Sequence, residues 1–259
     1  MYDYLNRNKE KVKLIQQQCG VAADGIFGKQ TKRAYEEKYG QFIRYGDKLL
    51  DVNSLGVKVY HGNCLYKNAY GEQQWSMRKN DPDVICMHWG GLSTDHCFSV
   101  FENTKGRHVS SHIGVGRNKH GEIEIQQWLN LSIKAWHGGK INTRSIGIDI
   151  CQHPSVKYFE RTKKLDYDVE IMKNTEYDRC PAEYVSIDPE VAEVARELVR
   201  LLRVHMNITH KPVCKDFDVY TAAEAGKFSV VGHHNISKKK WDVIPWAEEL
   251  YWDIDSSYS

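Results

Sequence analysis

Histidine is the residue to follow in this chain of 259, which carries twelve of them, several at the ends of short apolar runs. In Val84-Ile85-Cys86-Met87-His88-Trp89-Gly90-Gly91 a strand-like run delivers His88 into a Gly-Gly turn. In Val230-Val231-Gly232-His233-His234-Asn235 a second run delivers His233 just after a glycine, and Asp242 follows within Lys238-Lys239-Lys240-Trp241-Asp242. Two imidazoles and one carboxylate from separate elements would give zinc three protein ligands and leave its fourth position for water. Each of these histidines, taken singly, also fits a structural role. His234 adjoins His233 and is the alternative ligand, but the preceding Gly232 favours His233. Cys86 shares the strand face of His88 and reads as a buried apolar thiol.

Other polar groups fall at strand positions too. In Ser145-Ile146-Gly147-Ile148-Asp149-Ile150 strict alternation puts the three isoleucines on one face. Asp149 then shares the opposite face with a glycine, where a substrate can approach closely. A mid-strand carboxylate is costly unless it is paired or opens onto a cleft. His112, in Ser110-Ser111-His112-Ile113, faces away from Ile113, and Trp136-His137-Gly138-Gly139 has the make-up of a binding rim.

The elements that must position these residues are legible from pattern. Strands are predicted over 84–88, 111–116, 122–128, 145–150 and 228–232. A helix is predicted over 189–206, with Asp188 as N-cap and Pro189 at the first position. Upstream, two short helices (8–19 and 30–38) flank the Gly-punctuated turn Asp24-Gly25-Ile26-Phe27-Gly28. So small a module needs a neighbour or a continuation past residue 40 to complete its core. Residues 154–180 are charged, aromatic and aperiodic, and are expected to form an inserted surface loop or a lid.

Composition narrows the class. Hydrophobic residues at 41% suffice for a real core, and a net charge of +2 gives no argument for nucleic acid. No apolar run approaches the ~18 residues of a membrane span. Residues 1–7 lack the apolar core of a secretory signal, so a cytoplasmic start is expected. Seven widely spaced cysteines without a Cys-x-x-Cys pair argue against a disulfide scaffold or zinc ribbon and for free thiols.

In order, His88-Trp-Gly-Gly, Ser110-Ser-His112, Ala135-Trp-His-Gly with Ser145-Ile-Gly-Ile-Asp149, and the Gly232-His block ending at Asp242 resemble the zinc-dependent type 2 N-acetylmuramoyl-L-alanine amidases, which include phage lysins and peptidoglycan recognition proteins. Independently, Asp24–Thr31 and its flanking helices resemble the helical peptidoglycan-binding domain. The resemblance implies an α/β fold, a mixed central β-sheet flanked by helices, with a small all-α N-terminal module. The expected boundaries are a wall-binding module at 1–45, a connecting segment at 46–80 and the catalytic domain at 81–259.

Carried over residue by residue, the resemblance implies Zn2+ held by His88, His233 and Asp242, with Asp149 and Lys240 catalytic and Trp136, His137 and His112 contacting substrate. Asp149 stands where the family often has glutamate, Ile113 replaces a common aromatic, and Val243-Ile244-Pro245 replaces the Pro-Gly that often follows the last ligand. The implied reaction cuts the amide between N-acetylmuramic acid and L-alanine in bacterial peptidoglycan, as a monomeric phage endolysin stored in the host cytoplasm until a holin-type protein releases it to the wall. The alternatives are a recognition protein of this fold that binds without cutting, and a cytoplasmic amidase that recycles wall fragments. A His-Glu-x-x-His peptidase motif is absent from the sequence, and no carboxylate pair suggests a glycosidase.

Overall fold

The computed structural model describes residues 9–61 and 67–254. Residues 1–7, read above for a secretory signal, and Cys64 lie outside the described residues; the other six cysteines are free.

Alternation along two central strands organises the molecule. In β4 (Val84–Trp89) Ile85 and Met87 face the main core, while Val84 and Cys86 face a separate cluster on the other side. In β7 (Ser145–Cys151) Ile146, Ile148 and Ile150 face that same main core. The two strands run parallel with His88 opposite Asp149, so imidazole and carboxyl stand side by side on the face away from the main core. Both are buried along their length, as parallel strands covered on two faces must be.

The sheet has six strands, in the order β10 (Val230–Gly232), β4, β7, β5 (Ile113–Arg117), β6 (Ile123–Gln127) and β3 (Lys58–His61). Only the β5–β6 pairing is antiparallel, so the sheet is mixed, as expected. Its main-core face is covered by α5 (Pro189–His205), whose Val191, Val194, Ala195, Leu198 and Leu202 share one apolar core with the three isoleucines of β7. Asp188 caps this helix, accepting from the backbone N–H groups of Glu190 and Val191 at 3.0 and 3.2 Å. Sequence pattern did not single out α3 (Thr94–Glu102), which covers part of the other face and begins at the Ser93 cap.

The N-terminal helices α1 (Lys9–Gln18) and α2 (Lys29–Tyr39) flank the glycine turn. Buried Gln16 ties that turn down: its amide oxygen accepts from Gly25 N at 2.9 Å, and its nitrogen donates to Asp24, Ile26 and Thr31. Gly25 has φ +78°, the left-handed region that favours glycine. The helices do not finish their own core. A hairpin of β1 (Phe42–Tyr45) and β2 (Lys48–Asp51) completes it, with Phe42 and Leu49 turned to the helices and Ile43 and Leu50 to the main core. The expected all-α module therefore includes a hairpin, because two short helices cannot enclose Phe27 and Val12 alone.

The stretch 46–80 holds β3, the edge strand of the main sheet. Residues 154–180 fold into a 3-10 turn at Val156–Tyr158, a single helical turn α4 (Phe159–Thr162) and strand β8 (Ile171–Lys173), which pairs with β9 (Glu183–Val185).

Candidate active site

Parallel pairing of β10 with β4 brings the ends of both strands to one rim of the sheet. His88 rises from β4 and His233 from the 3-10 turn that follows β10. Asp242 comes in on the next loop. His88 Nδ1 lies 3.0 Å from His233 Nδ1, which lies 2.8 Å from Asp242 Oδ2; the outer pair, His88 and Asp242, is 3.9 Å apart. One donor atom from each residue falls within 4.8 Å of the others, a spacing that could hold a metal ion.

A chain of hydrogen bonds beneath His88 assigns its tautomer. Ser145 Oγ donates to the Ile141 carbonyl at 2.8 Å, so its oxygen is left to accept from His137 Nε2 at 3.2 Å. His137 Nδ1 is then unprotonated and accepts from His88 Nε2 at 2.9 Å. The His88 proton thus sits on the side away from Asp242, and its Nδ1 lone pair points at His233 and Asp242. Support of this kind from a second group is how proteins orient metal-binding imidazoles.

Burial, followed by the charge of His233, lowers the His88 pKa to about 4, so the ring is neutral near pH 7. Burial alone would raise the Asp242 carboxyl. The hydrogen bond from His233 and the closeness of both imidazoles outweigh it and hold the carboxyl well below the ordinary range. The neutral His88 ring, the His233 ring beside it and the ionised Asp242 carboxylate form a donor set of the kind that holds a transition-metal ion.

Cys86, His88 and His137 form a second group of closely spaced donors. It is the weaker candidate, since burial keeps the Cys86 thiol protonated and the two imidazole nitrogens already bind each other.

Asp149 forms the floor of a cleft of about 440 Å³ walled by Gly90, His153, Tyr158, Arg161 and Lys240. Its Oδ2 is buried without a hydrogen-bond partner. Burial pushes the carboxyl up to about 7; the Ser111 hydroxyl offsets part of the rise, the Asp242 carboxylate adds to it and Lys240 opposes it. A carboxyl poised there can take or give a proton at neutral pH.

The other expected substrate contacts stand elsewhere. His112 is fully buried: Nδ1 accepts from Gly147 N at 2.9 Å, and Nε2 lies 2.9 Å from the Ile133 carbonyl. It therefore joins strands and offers substrate no surface, because even alternation put it on the face that the loop at Ile133 covers. His137 lies under His88, seated where a side chain at Gly147 would come within 2.7 Å of its ring. Trp136 stacks on His108, carries the Lys134 ammonium over its ring and does not line the Asp149 cleft.

His234 turns away from His88 and holds the loop, its Nδ1 3.0 Å from the Asp242 carbonyl. Pattern missed Arg179, whose guanidinium donates to the carbonyls of His234, Lys240 and Phe217 and so clamps the loop carrying Lys240 and Asp242. No local signal marks it, because its partners lie far along the chain.

Among solved structures, the chain resembles the endolysin N-acetylmuramoyl-L-alanine amidase LysCS from Clostridium intestinale URNW, at 17% identity over 70% of this chain and 84% of that one, with a TM-score of 0.41. The PlyG catalytic domain gives 17% identity over 77% and 94%, TM-score 0.45. The Ph2119 endolysin from a Thermus scotoductus MAT2119 bacteriophage gives 14% over 74% and 98%, TM-score 0.42. No curated protein sequence matches the chain. The N-acetylmuramoyl-L-alanine amidase family matches residues 78–245, a stretch that contains His88, Asp149, His233 and Asp242. With well over half its length matched, the chain belongs to that amidase family.

Proposed function

We propose that this amidase cleaves the bond between the lactyl group of N-acetylmuramic acid and L-alanine with zinc held by His88, His233 and Asp242, and that it does so as a wall-lysing endolysin. The reading is carried by the convergence of three possible metal-ligand side chains beside a buried carboxyl on the adjacent strand, whose Oδ2 has no hydrogen-bond partner. Zinc bound by such a set supplies a Lewis acid for the carbonyl oxygen and acidifies a water molecule.

The chain's own residues do the rest. Asp149 takes the proton of the attacking water and hands it to the departing amide nitrogen, as its raised pKa allows. The Lys240 ammonium, exposed at the cleft wall, faces the negative charge that develops on the carbonyl oxygen. His137 and Ser145 keep the His88 lone pair turned to the site. Gly90 lets the Cys97 thiol pack close beneath the cleft, since a side chain there would collide with it. The tied turn Asp24–Gly28 between α1 and α2 supports a wall-binding role for the N-terminal helices.

The test is mass spectrometry of fragments released from purified peptidoglycan by the wild-type protein and by His88→Ala. Stem peptides beginning with L-alanine, peptide-free glycan and an inert variant are expected. New reducing sugar ends, cuts within the stem, or a fully active His88→Ala would overturn the reading. Binding without release would make the protein a recognition module.

A further inference from the structure

The segment between β7 and α5 contributes one cation to the cleft that the amidase chemistry leaves unused. Arg161, in α4, lines the cavity with Asp149 and Lys240. Its guanidinium lies over the Tyr158 ring, 5.3 Å from the centroid. Tyr158 packs on His153 at 4.4 Å, and His153 packs on Trp89 at 4.3 Å. A ladder of rings thus runs from the end of β4, next to His88, out to Arg161. The neighbouring Glu160 is taken by Lys163, and Arg161 has no carboxylate partner among the described residues. An exposed arginine usually spends rotamer freedom when it binds, but one stacked on a ring is partly ordered beforehand.

We propose that Arg161 reads a carboxylate on the peptide part of the substrate, so that the cleft selects acidic stems over their carboxamides. This rests on the amidase reading above. The guanidinium offers a planar pair of donors that matches a carboxylate in two parallel hydrogen bonds, and a carboxamide can accept only one of them. The cleft has the right polarity for such a ligand. Its two exposed cations, Arg161 and Lys240, share the cleft with a single carboxyl, the buried Asp149. Lys240 serves the scissile carbonyl, which leaves Arg161 for a charge further along the peptide.

Two soluble probes decide it: N-acetylmuramoyl-L-alanyl-γ-D-glutamyl-L-lysine with the glutamate α-carboxylate free, and the same compound with that group as carboxamide. Calorimetry gives the affinity of each for the full chain, and product analysis gives kcat/KM. The wild type should favour the acid by about fivefold, the scale of a partly exposed charge pair, and the preference should shrink in high salt. Arg161→Gln should bring the ratio of affinities near one, and Arg161→Lys should restore part of it. Equal affinities in the wild type, or a loss in Arg161→Gln that falls equally on both probes, would overturn the proposal. Release of no L-alanine-terminated peptide from either probe would count against the amidase reading, while the affinity ratio would still decide the role of Arg161.

Discussion

Asp149 and His88 are cross-strand neighbours, yet burial acts on them in opposite ways. The imidazole is driven neutral, which frees a lone pair, and the carboxyl is driven toward its protonated form. For Asp149 the linkage has a definite sign. The folded protein keeps a proton that the unfolded chain releases near the ordinary carboxylate value, so its ionisation works against folding as pH rises from about 4 to about 7. Asp149→Asn removes that term. In chelator-treated protein the variant should gain thermal stability over wild type, and the gap should be wider at pH 8 than at pH 5 by calorimetry. A gap that does not change with pH would refute the burial argument. The same variant should lose roughly 10²- to 10⁴-fold in kcat, because an amide cannot carry the proton.

At the scale of elements, the loop from His233 to Val243 is held by its own backbone turns and by side chains that bind its carbonyls, one of them from outside the loop. His234 and Arg179 bind its carbonyls, and the loop needs them because Val243 sits at φ +58°, a left-handed conformation that a β-branched residue adopts only at a cost. That strain falls one residue after Asp242, so slackening the clamp should disturb the donor set first. Arg179→Ala should cost about 1–3 kcal/mol by leaving carbonyls without a donor. It should also speed hydrogen exchange across residues 233–243 while α5 stays protected. Uniform exchange through the molecule would mean that the arginine supports the fold at large and has no special hold on the loop.

For the molecule as a whole, the N-terminal helices and the sheet share a hairpin. The amide of Gln127, on β6, bonds both backbone groups of Arg44, accepting from N and donating to O at 2.8 Å each. A chain that begins at residue 41 keeps this seam and exposes only one side of the hairpin, so it should fold with a lowered Tm. A chain that begins at residue 62 also loses Ile43, Leu50 and Val59 from the main core. At about 1.5–3 kcal/mol for each buried side chain, that loss rivals the whole stability of a domain. It should yield no cooperative melting transition. Equal stability of the two truncations would show the seam to be dispensable.

Local pattern determined a good deal of this protein by itself. Alternation set which face of β4 carries His88 and which face of β7 carries Asp149, and helical spacing with Asp188 and Pro189 set α5, because both periodicities are properties of the backbone over a few residues. Which distant residues meet was decided by tertiary structure. Parallel pairing of β10 with β4 brings His233 to His88 across 145 positions of sequence. His112 and His137 look alike on paper, and only the packing around Gly147 separates a strand tie from a support for His88. The edge strand β3, the hairpin shared with the helices, the Arg179 clamp and the ring ladder to Arg161 have the same origin. Each depends on contacts between segments far apart in the chain, where loop closure and packing choose the partner and spacing along the sequence carries no record of it.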